Sequence, residues 1–214
     1  LLLAAAHRAH HLALALGEAA ARGRGVALAQ AAVDRGAVGT LITGPTHLAT
    51  PVGAERVEVT NAQEMHDRVL SAVEGADALI MAAAVADYRP DQVAAQKMKK
   101  GTEDLVLHMV RTPDILSAVA ARGAQPRTPR VVVGFAAESQ DLVDNARAKL
   151  GSKNLDLIVA NDVTAPGAGF ATETNRVVIL DRAGGAEELP LMSKAAVAEA
   201  VLERVAGLLA KDTE

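Results

Sequence analysis

The residues best suited to chemistry follow one apolar run in the middle of the chain. The run 78–85 is rich in small residues, Asp87 follows it, and Lys97, Lys99 and Lys100 come after a short polar link. Small residues at the end of a strand let a ligand approach the backbone, and a lysine cluster supplies positive charge for an anion. This spacing predicts a nucleotide or phosphate site at the carboxyl end of a strand.

Each of these features also has an ordinary explanation. Lysine clusters are most often solvated surface loops, although a position between a buried run and an extended segment suits a lid that closes over phosphates. The ordinary explanation of Asp87 is a helix cap or an ion pair with Arg89. The functional explanation is that its carboxylate accepts hydrogen bonds from a base or sugar, or binds a metal ion. The residues alone leave these explanations open.

Further candidates lie near a later apolar run and the helix predicted after it. Phe135, one of two phenylalanines, ends the run 131–135 and is either an ordinary core residue or a surface for a nucleobase. Lys149 and Lys153 flank the end of a predicted helix, where positive charge also complements the helix dipole. Glu138 is either catalytic or an ordinary loop carboxylate, and we favour the ordinary explanation.

The elements that must position these residues alternate between helix and strand. The runs 78–85, 131–135 and 155–160 are apolar throughout, as strands buried on both faces require. Repeated units of this kind predict an α/β fold with a mostly parallel, doubly wound sheet, whose ligands bind beyond the carboxyl ends of the strands. Other predicted strands are 40–43, 56–59 and 176–180, and 105–110 is predicted to be an extended segment of an arm or hairpin. Predicted helices are 12–22, 26–35, one beginning at Asn61, one beginning at Thr112, 141–150 and one capped by Ser193, and 164–175 is interpreted as a surface loop.

Composition excludes several classes of function. The chain has 214 residues and no cysteine, which excludes disulfides, thiolate metal sites and a cysteine nucleophile. A net charge of −4 and 1% aromatic residues give neither the basic surface nor the stacking platform of a nucleic-acid-binding protein. The chain lacks the glycine-rich motifs that bind phosphates in P-loop proteins and dinucleotides in Rossmann folds. The six histidines do not indicate a zinc site, because the clustered ones at 7, 10 and 11 have no carboxylate nearby in the sequence. With no membrane-spanning run and no signal peptide indicated, we expect a cytoplasmic protein.

Several longer motifs occur in a fixed order. They are Ile80-Met-Ala-Ala-Ala-Val-Ala-Asp-Tyr-Arg-Pro90, Lys97-Met-Lys-Lys100, Arg111-Thr-Pro-Asp-Ile-Leu116, Val133-Gly-Phe-Ala-Ala-Glu138, Asn145-Ala-Arg-Ala-Lys149, Leu155-Asp-Leu-Ile-Val-Ala-Asn-Asp-Val163, Gly169-Phe170, Asn175 and Leu189-Pro-Leu-Met-Ser-Lys194. From about residue 26 onward, this series resembles phosphopantothenate–cysteine ligase, the synthetase part of bacterial coenzyme A biosynthesis proteins. The resemblance implies a Rossmann-like sheet with an extended dimerisation arm.

The resemblance also implies a CTP-dependent reaction. In this family the carboxylate of 4′-phosphopantothenate attacks the α-phosphate of CTP and releases pyrophosphate. The amine of cysteine then captures the acyl-cytidylate and releases CMP. Mg²⁺ is expected to assist by neutralising the triphosphate, and the sequence indicates no particular metal ligands.

The same resemblance assigns residues to the site. Lys97 would be the catalytic lid lysine over the reacting phosphates, and a larger set would bind the nucleotide. That set is Met81, Ala82, Ala83, Asp87, Lys97, Pro113, Asp114, Ile115, Leu116, Phe135, Lys149 and Lys153. The family forms homodimers through the arm, here about 88–111, and is often fused to a flavin-dependent decarboxylase, which is therefore a further expected partner.

The first 25 residues depart from the family pattern. Family members open with a strand, a glycine-rich turn and a loop whose asparagine stabilises the acyl-nucleotide, whereas residues 1–25 contain no asparagine, serine or threonine. We therefore expect an atypical segment, 1–25, that lacks the first strand, and a CTP-binding ligase domain, 26–214, with little turnover. The alternative is a non-catalytic nucleotide-binding or dimerisation module of the same fold.

Overall fold

Strands and helices alternate along the chain, as the apolar runs predict. The structure, a computed structural model, describes residues 9–16, 19–94, 96–99, 104–122, 128–138, 141–162 and 174–211. The strands are β1 (His11–Leu16), β2 (Val38–Thr43), β3 (Ala54–Glu58), β4 (Ala78–Met81), β5 (Tyr88–Pro90), β6 (Met109–Arg111), β7 (Val131–Glu138), β8 (Leu157–Asp162), β9 (Thr174–Asp181) and β10 (Ala186–Ser193). The helices are α1 (Ala19–Asp34), α2 (Ala62–Ala72), α3 (Ile115–Ala121), α4 (Leu142–Ser152) and α5 (Lys194–Lys211).

One eight-stranded sheet organises the fold, in the order β10-β9-β8-β7-β4-β1-β2-β3. Six neighbouring strands of this sheet are parallel: β8, β7, β4, β1, β2 and β3. Strand β9 pairs antiparallel with β8, and β10 pairs antiparallel with β9. The prediction of a mostly parallel, doubly wound sheet is confirmed. From β1 the chain builds β2 and β3 on one side, then crosses to β4 on the other side. This switch between β1 and β4 is where ligands bind in doubly wound sheets.

The prediction of a helix over 12–22 is wrong for its first part, because β1 is a central strand of the sheet. Leu12, Leu14 and Leu16 pack into the core on one face, and Ala13 and Ala15 pack on the other. Alanine and leucine favour helix by propensity, but a strand buried on both faces also needs a continuous apolar run. The expectation that the first strand is missing is therefore also wrong.

Other element boundaries differ from the prediction in smaller ways. The run 78–85 leaves the sheet after Met81, the helix predicted at Thr112 is capped by Asp114, and β10 was not predicted. The caps at Asn61 and Ser193 are confirmed, since Asn61 accepts a hydrogen bond from the Glu64 amide at 2.9 Å and Ser193 accepts one from the Ala196 amide at 3.1 Å. Most of the predicted loop 164–175 lies outside the described residues.

Helices cover both faces of the sheet. Helices α1 and α5 pack together on one face, and α2, α3 and α4 lie on the other. Gly25 lets α1 approach β1 closely, because a Cβ at this position would lie 1.7 Å from the buried Leu16 side chain. The glycine therefore brings the first turns of α1 against the carboxyl end of the central strand.

A charged network ties the strands together at the opposite, amino edge. The carboxylate of Asp77 accepts a hydrogen bond from the His11 amide at 2.9 Å and pairs with Arg130 at 3.3 Å and His10 at 3.4 Å. Burial alone would raise the pKa of Asp77, but the His11 hydrogen bond and the neighbouring His10 and Arg130 outweigh it, so the pKa is lowered. The network links the starts of β1, β4 and β7.

We expect Asp77→Asn to lower the free energy of unfolding at neutral pH by about 1–3 kcal/mol, because the Arg130 guanidinium and the His11 amide lose a carboxylate partner. The folded-state pKa of Asp77 lies below its ordinary value of 3.8. The ionised carboxylate therefore stabilises the fold above that value, and this contribution is lost as the pH falls through the folded-state pKa. Urea unfolding between about pH 6 and pH 2 measures the effect.

Asp91→Asn is the matched control, because Asp91 is exposed on the arm. Its stability should follow that of the unmodified chain at every pH. The Asp77→Asn curve should lose less stability on acidification than the other two. Equal pH dependence in all three proteins would contradict a stabilising role for the ionised Asp77.

Candidate functional site

A cavity of about 470 Å³ opens at the carboxyl edge of the sheet, above the end of β4. Strand β4 pairs with β7 only as far as Met81 and Gly134, whereas β7 continues to Glu138 beside β8. The early end of β4 leaves a notch beside β7, next to the switch point between β1 and β4. The residues lining the notch are Met81, Ala83, Val85, Asp87, Tyr88, Arg111, Thr112, Pro113, Asp114, Ile115, Leu116, Phe135 and Lys153.

Nine of the twelve predicted site residues line this cavity. Ala82 does not line it but lies buried beside it, where its amide donates to the Ala15 carbonyl of β1 at 3.0 Å. Lys149 is exposed on α4, and Lys97 is exposed in the segment between β5 and β6. Neither lysine is among the described lining residues, so their proposed contacts with a nucleotide stay predictions.

Met81, the last residue of β4, and Ala83, just after the strand, line one side of the cavity. Met81 and Ala82 are buried and Ala83 is half-buried. Their small or unbranched side chains leave the backbone open to a ligand, as the sequence pattern predicts. Gly134, opposite Met81, has no room for a side chain, because a Cβ there would lie 2.6 Å from Leu155 Cδ1.

The hairpin of β5 and β6 forms a second wall, and Thr112 fixes it to the sheet. The Thr112 amide donates to the Asp87 carbonyl at 2.9 Å, and its hydroxyl donates to the Ala86 carbonyl. Tyr88 and Arg111 are paired across the two strands. Both are exposed and line the cavity together with Asp87, so an acid, a phenol and a guanidinium share one rim.

Helix α3 contributes its first turn to the cavity. Asp114 caps the helix by accepting a hydrogen bond from the Ser117 amide at 3.0 Å. The Lys153 ammonium pairs with the Asp114 carboxylate and donates to the Ser117 hydroxyl at 3.1 Å. Burial alone would raise the pKa of Asp114, but the hydrogen bonds from Lys153 and Ser117 outweigh it, so the pKa is lowered. The cavity therefore contains the Asp114 carboxylate paired with the ammonium group of Lys153.

Phe135 is half-buried and presents its ring to the cavity. The guanidinium carbon of Arg24, on α1, lies 5.9 Å from the ring centroid, within the range of a cation–π contact. The sequence analysis did not single out Arg24, because one arginine in a run of alanine, glycine and arginine has no distinguishing pattern. It also left out Arg111 and Thr112 as site residues, although both belong to a motif that it quoted.

A second, more apolar cavity of about 640 Å³ adjoins the first and shares Val85, Tyr88 and Thr112 with it. It lies between the end of β2, the start of α2 and the hairpin. Its described lining contains one guanidinium, that of the exposed Arg89, which donates to the Pro90 carbonyl at 3.1 Å. The two cavities together offer space for more than one substrate.

The described residues contain no group of three histidine, aspartate or glutamate side chains placed to hold a metal ion. Two carboxylates, Asp87 and Asp114, line the first cavity. Magnesium is often held by one or two carboxylates together with substrate phosphates, which such a site can accommodate. None of the described helices combines the length and the hydrophobicity needed to cross a bilayer.

Comparison with known proteins identifies a family. The model of the "DNA/pantothenate metabolism flavoprotein C-terminal domain" family matches residues 16–209. The coenzyme A biosynthesis bifunctional protein CoaBC of Bacillus subtilis is 46% identical over 185 residues, which are 86% of this chain and 45% of that protein. The protein of the same name from Escherichia coli K12 is 41% identical over 184 residues, which are 85% of this chain and 44% of that protein. The chain thus spans less than half the length of these relatives.

A solved structure shows the same fold. The crystal structure of the C-terminal domain of coenzyme A biosynthesis bifunctional protein CoaBC has a TM-score of 0.79 and 29% sequence identity, and the match covers 94% of this chain and 96% of that one.

We expect Lys153→Met to raise the pKa of Asp114 toward its ordinary value, because the substitution removes the hydrogen bond and the positive charge that lower it. Carbon-detected NMR titration of the Asp114 carboxyl group measures this pKa. Lys149→Met, one turn earlier on α4, makes the same change of charge outside the cavity and should leave the Asp114 titration unchanged. An unchanged Asp114 titration in Lys153→Met, or an equal rise in both variants, would contradict the assignment of this pair.

Proposed function

The chain belongs to the DNA/pantothenate metabolism flavoprotein C-terminal domain family, and on that premise we propose that it acts in coenzyme A biosynthesis as a CTP-dependent ligase. Its substrates would be 4′-phosphopantothenate and cysteine, and its product 4′-phosphopantothenoylcysteine. The names of the relatives support coenzyme A biosynthesis, and CTP is the nucleotide that the sequence motifs suggest.

One observation carries this proposal. Nine residues predicted from separate motifs come together around one cavity, at the switch point where doubly wound sheets bind ligands. They come from the end of β4, the corner at Asp87, the start of α3, β7 and the end of α4. A set of unrelated surface positions would not converge in this way.

The chemistry expected of the site is transfer of a cytidylyl group to a carboxylate. The acid attacks the α-phosphate of CTP, pyrophosphate leaves, and the amine of cysteine then displaces CMP from the acyl-cytidylate. The open backbone after Met81 would receive the nucleotide, and Lys153 with Lys97 would stabilise charge that develops on the phosphates. Mg²⁺ would neutralise the triphosphate when bound, with Asp87 as the candidate carboxylate ligand.

Slow turnover is part of the proposal. Strand β1 ends at Leu16 and α1 begins at Ala19, so only Gly17 and Glu18 lie between them in the sequence. This connection contains no asparagine, whereas the resemblance places an intermediate-stabilising asparagine in the loop at this point. The loss of one donor to a developing anion costs about a hundredfold or more in rate.

The proposed partners are a second copy of the chain and a flavin-dependent decarboxylase. The hairpin and the segment between its strands expose Tyr88, Val93, Leu105, Val106 and Leu107. Exposed apolar side chains in such number are typical of an interaction surface. They support a homodimer formed through the arm.

The second candidate is a non-catalytic nucleotide-binding module. The absence of an asparagine from the sequence between β1 and α1 favours it, because the cavity would then be retained without a residue that the resemblance assigns to catalysis. The two candidates agree on CTP binding and differ in turnover.

Calorimetry with CTP and an assay for CMP and pyrophosphate test the proposal together. We expect CTP to bind at or below about millimolar concentration, and CMP release to need both other substrates and to be about a hundredfold or more slower than in the Bacillus subtilis relative. Ala83→Leu places a larger side chain in the cavity and should weaken CTP binding about tenfold or more.

Ala84→Leu is the control, because the neighbouring Ala84 is exposed and borders the second cavity instead. It should leave the CTP affinity unchanged. CTP binding without any CMP release would favour the non-catalytic module. No heat at millimolar CTP would contradict both candidates.

A further inference from the structure

The rim of the first cavity carries a guanidinium to which the motifs assign no role. Arg111 is the last residue of β6 and lines this cavity. In the antiparallel hairpin, Arg111 is paired with Tyr88 of β5, whereas Arg89 is paired with Val110. Because neighbouring residues of a strand point to opposite faces, Arg111 and Arg89 lie on opposite faces of the hairpin. Arg111 lines the first cavity, and Arg89 lines the second.

Arg111 has no partner in the part of the chain that the structure describes. Its side chain is exposed and makes no hydrogen bond or ion pair with another described residue. Lys153, the other cation of the described lining, differs because its ammonium pairs with Asp114 and donates to the Ser117 hydroxyl. An anion in the cavity would therefore meet one cation that is already neutralised and one that is free.

Two hydrogen bonds of Thr112 fix the position of the Arg111 backbone. The Thr112 amide donates to the Asp87 carbonyl at 2.9 Å, and its hydroxyl donates to the Ala86 carbonyl. These bonds tie the chain just after β6 to the chain just before β5. Only the side chain of Arg111 has to be ordered when a ligand binds, which limits the entropic cost of binding.

The cavity runs from a buried end to an exposed rim, and this gradient orients a nucleotide. Met81 and Ile115 are buried, Phe135 is half-buried, and Asp87 and Arg111 are exposed. A triphosphate carries several negative charges, and removing charge from water is costly. A nucleotide is therefore expected to bind with its base toward the buried end and its terminal phosphates toward the rim.

We propose that Arg111 binds the two terminal phosphates of the nucleotide and stabilises them as they leave as pyrophosphate. A guanidinium presents paired N–H donors that fit two phosphate oxygens. In the reaction, a carboxylate oxygen of the acid forms a bond to the α-phosphorus. The bond from that phosphorus to the bridging oxygen of the β-phosphate breaks, and this oxygen keeps the electron pair. The charge that develops on the departing pyrophosphate then lies beside a fixed positive charge.

This role rests on the proposed function and adds a residue to it. The resemblance assigns Pro113, Asp114, Ile115 and Leu116 to the nucleotide, but not Arg111 at the start of the same motif. A guanidinium that contacts only the terminal phosphates makes the cavity favour a nucleoside triphosphate over the monophosphate of the same base. It therefore also favours release of CMP once pyrophosphate has left.

Calorimetric titration of the full chain with CTP and with CMP, at one fixed concentration of Mg²⁺, tests the role of Arg111. We expect Arg111→Met to weaken CTP binding about 10- to 100-fold, the effect of losing charge-assisted hydrogen bonds. The CMP affinity should stay within about twofold, because CMP lacks the two terminal phosphates. Arg111→Lys should give an intermediate CTP affinity, since lysine keeps the charge but not the paired donors.

Arg89→Met is the matched control, because it removes the same charge from the other face of the same hairpin. It should leave the CTP and CMP affinities within about twofold of those of the unmodified chain. The melting temperature of Arg111→Met should also stay unchanged, because the Arg111 side chain makes no hydrogen bond or ion pair within the described residues. If Arg111→Met does not fold, Arg111→Lys serves in its place.

Three outcomes would overturn this role of Arg111. They are an unchanged CTP affinity in Arg111→Met, equal losses of CTP and CMP affinity in that variant, and an equal loss of CTP affinity in Arg89→Met.

Titration with inorganic pyrophosphate separates the role of Arg111 from the proposed function. If CTP does not bind to the unmodified chain while pyrophosphate binds and depends on Arg111, the proposed function fails and the phosphate-binding role of Arg111 is supported. If neither CTP nor pyrophosphate binds, both are contradicted.

Discussion

The fold depends on one feature of its topology, which is that the order of strand addition reverses between the adjacent strands β1 and β4. Strands β2 and β3 lie on one side of β1, and β4, β7 and β8 lie on the other. The connections from β1 and β4 therefore leave toward opposite sides, and neither covers the carboxyl ends of these strands. Because β4 also ends at Met81, beside a β7 that continues to Glu138, the uncovered edge becomes a cavity. The hairpin and α3 then supply its walls.

The two edges of the sheet differ in whether their buried polar side chains have hydrogen-bond partners. At the amino edge, Asp77 is satisfied by His11 and Arg130, which joins three strands. At the carboxyl edge, the Nε of Arg24 and the side-chain amides of Asn161 and Asn175 have no hydrogen-bond partner among the described residues. Proteins accept such local costs where function requires them. The difference between the edges is consistent with a stabilising role for one end of the strands and with our proposal that ligands bind at the other.

The sequence predicts the strongly patterned parts of the fold and misses the ambiguous ones. The uniformly apolar runs predicted the positions of β4, β7 and β8, and the motifs predicted most of the residues that line the first cavity. The strand β1 was mistaken for helix because a run of alanine and leucine suits both a helix and a buried central strand. The edge strand β10 was missed because it is mostly exposed and contains Pro190. Arg24 has no local signal in the sequence, since its burial depends on how α1 packs against the sheet and α5.

The central claim is that a nucleotide binds at the switch point between β1 and β4. Amide NMR with isotope-labelled protein and CTP tests it most directly. We expect the largest changes in amide chemical shift at Ala83, Asp87 and the first turn of α3, with the amide shifts of His11 and Asp77 at the opposite edge unchanged. Changes confined to the start of α2 and the second cavity, or no changes at millimolar CTP, would contradict it.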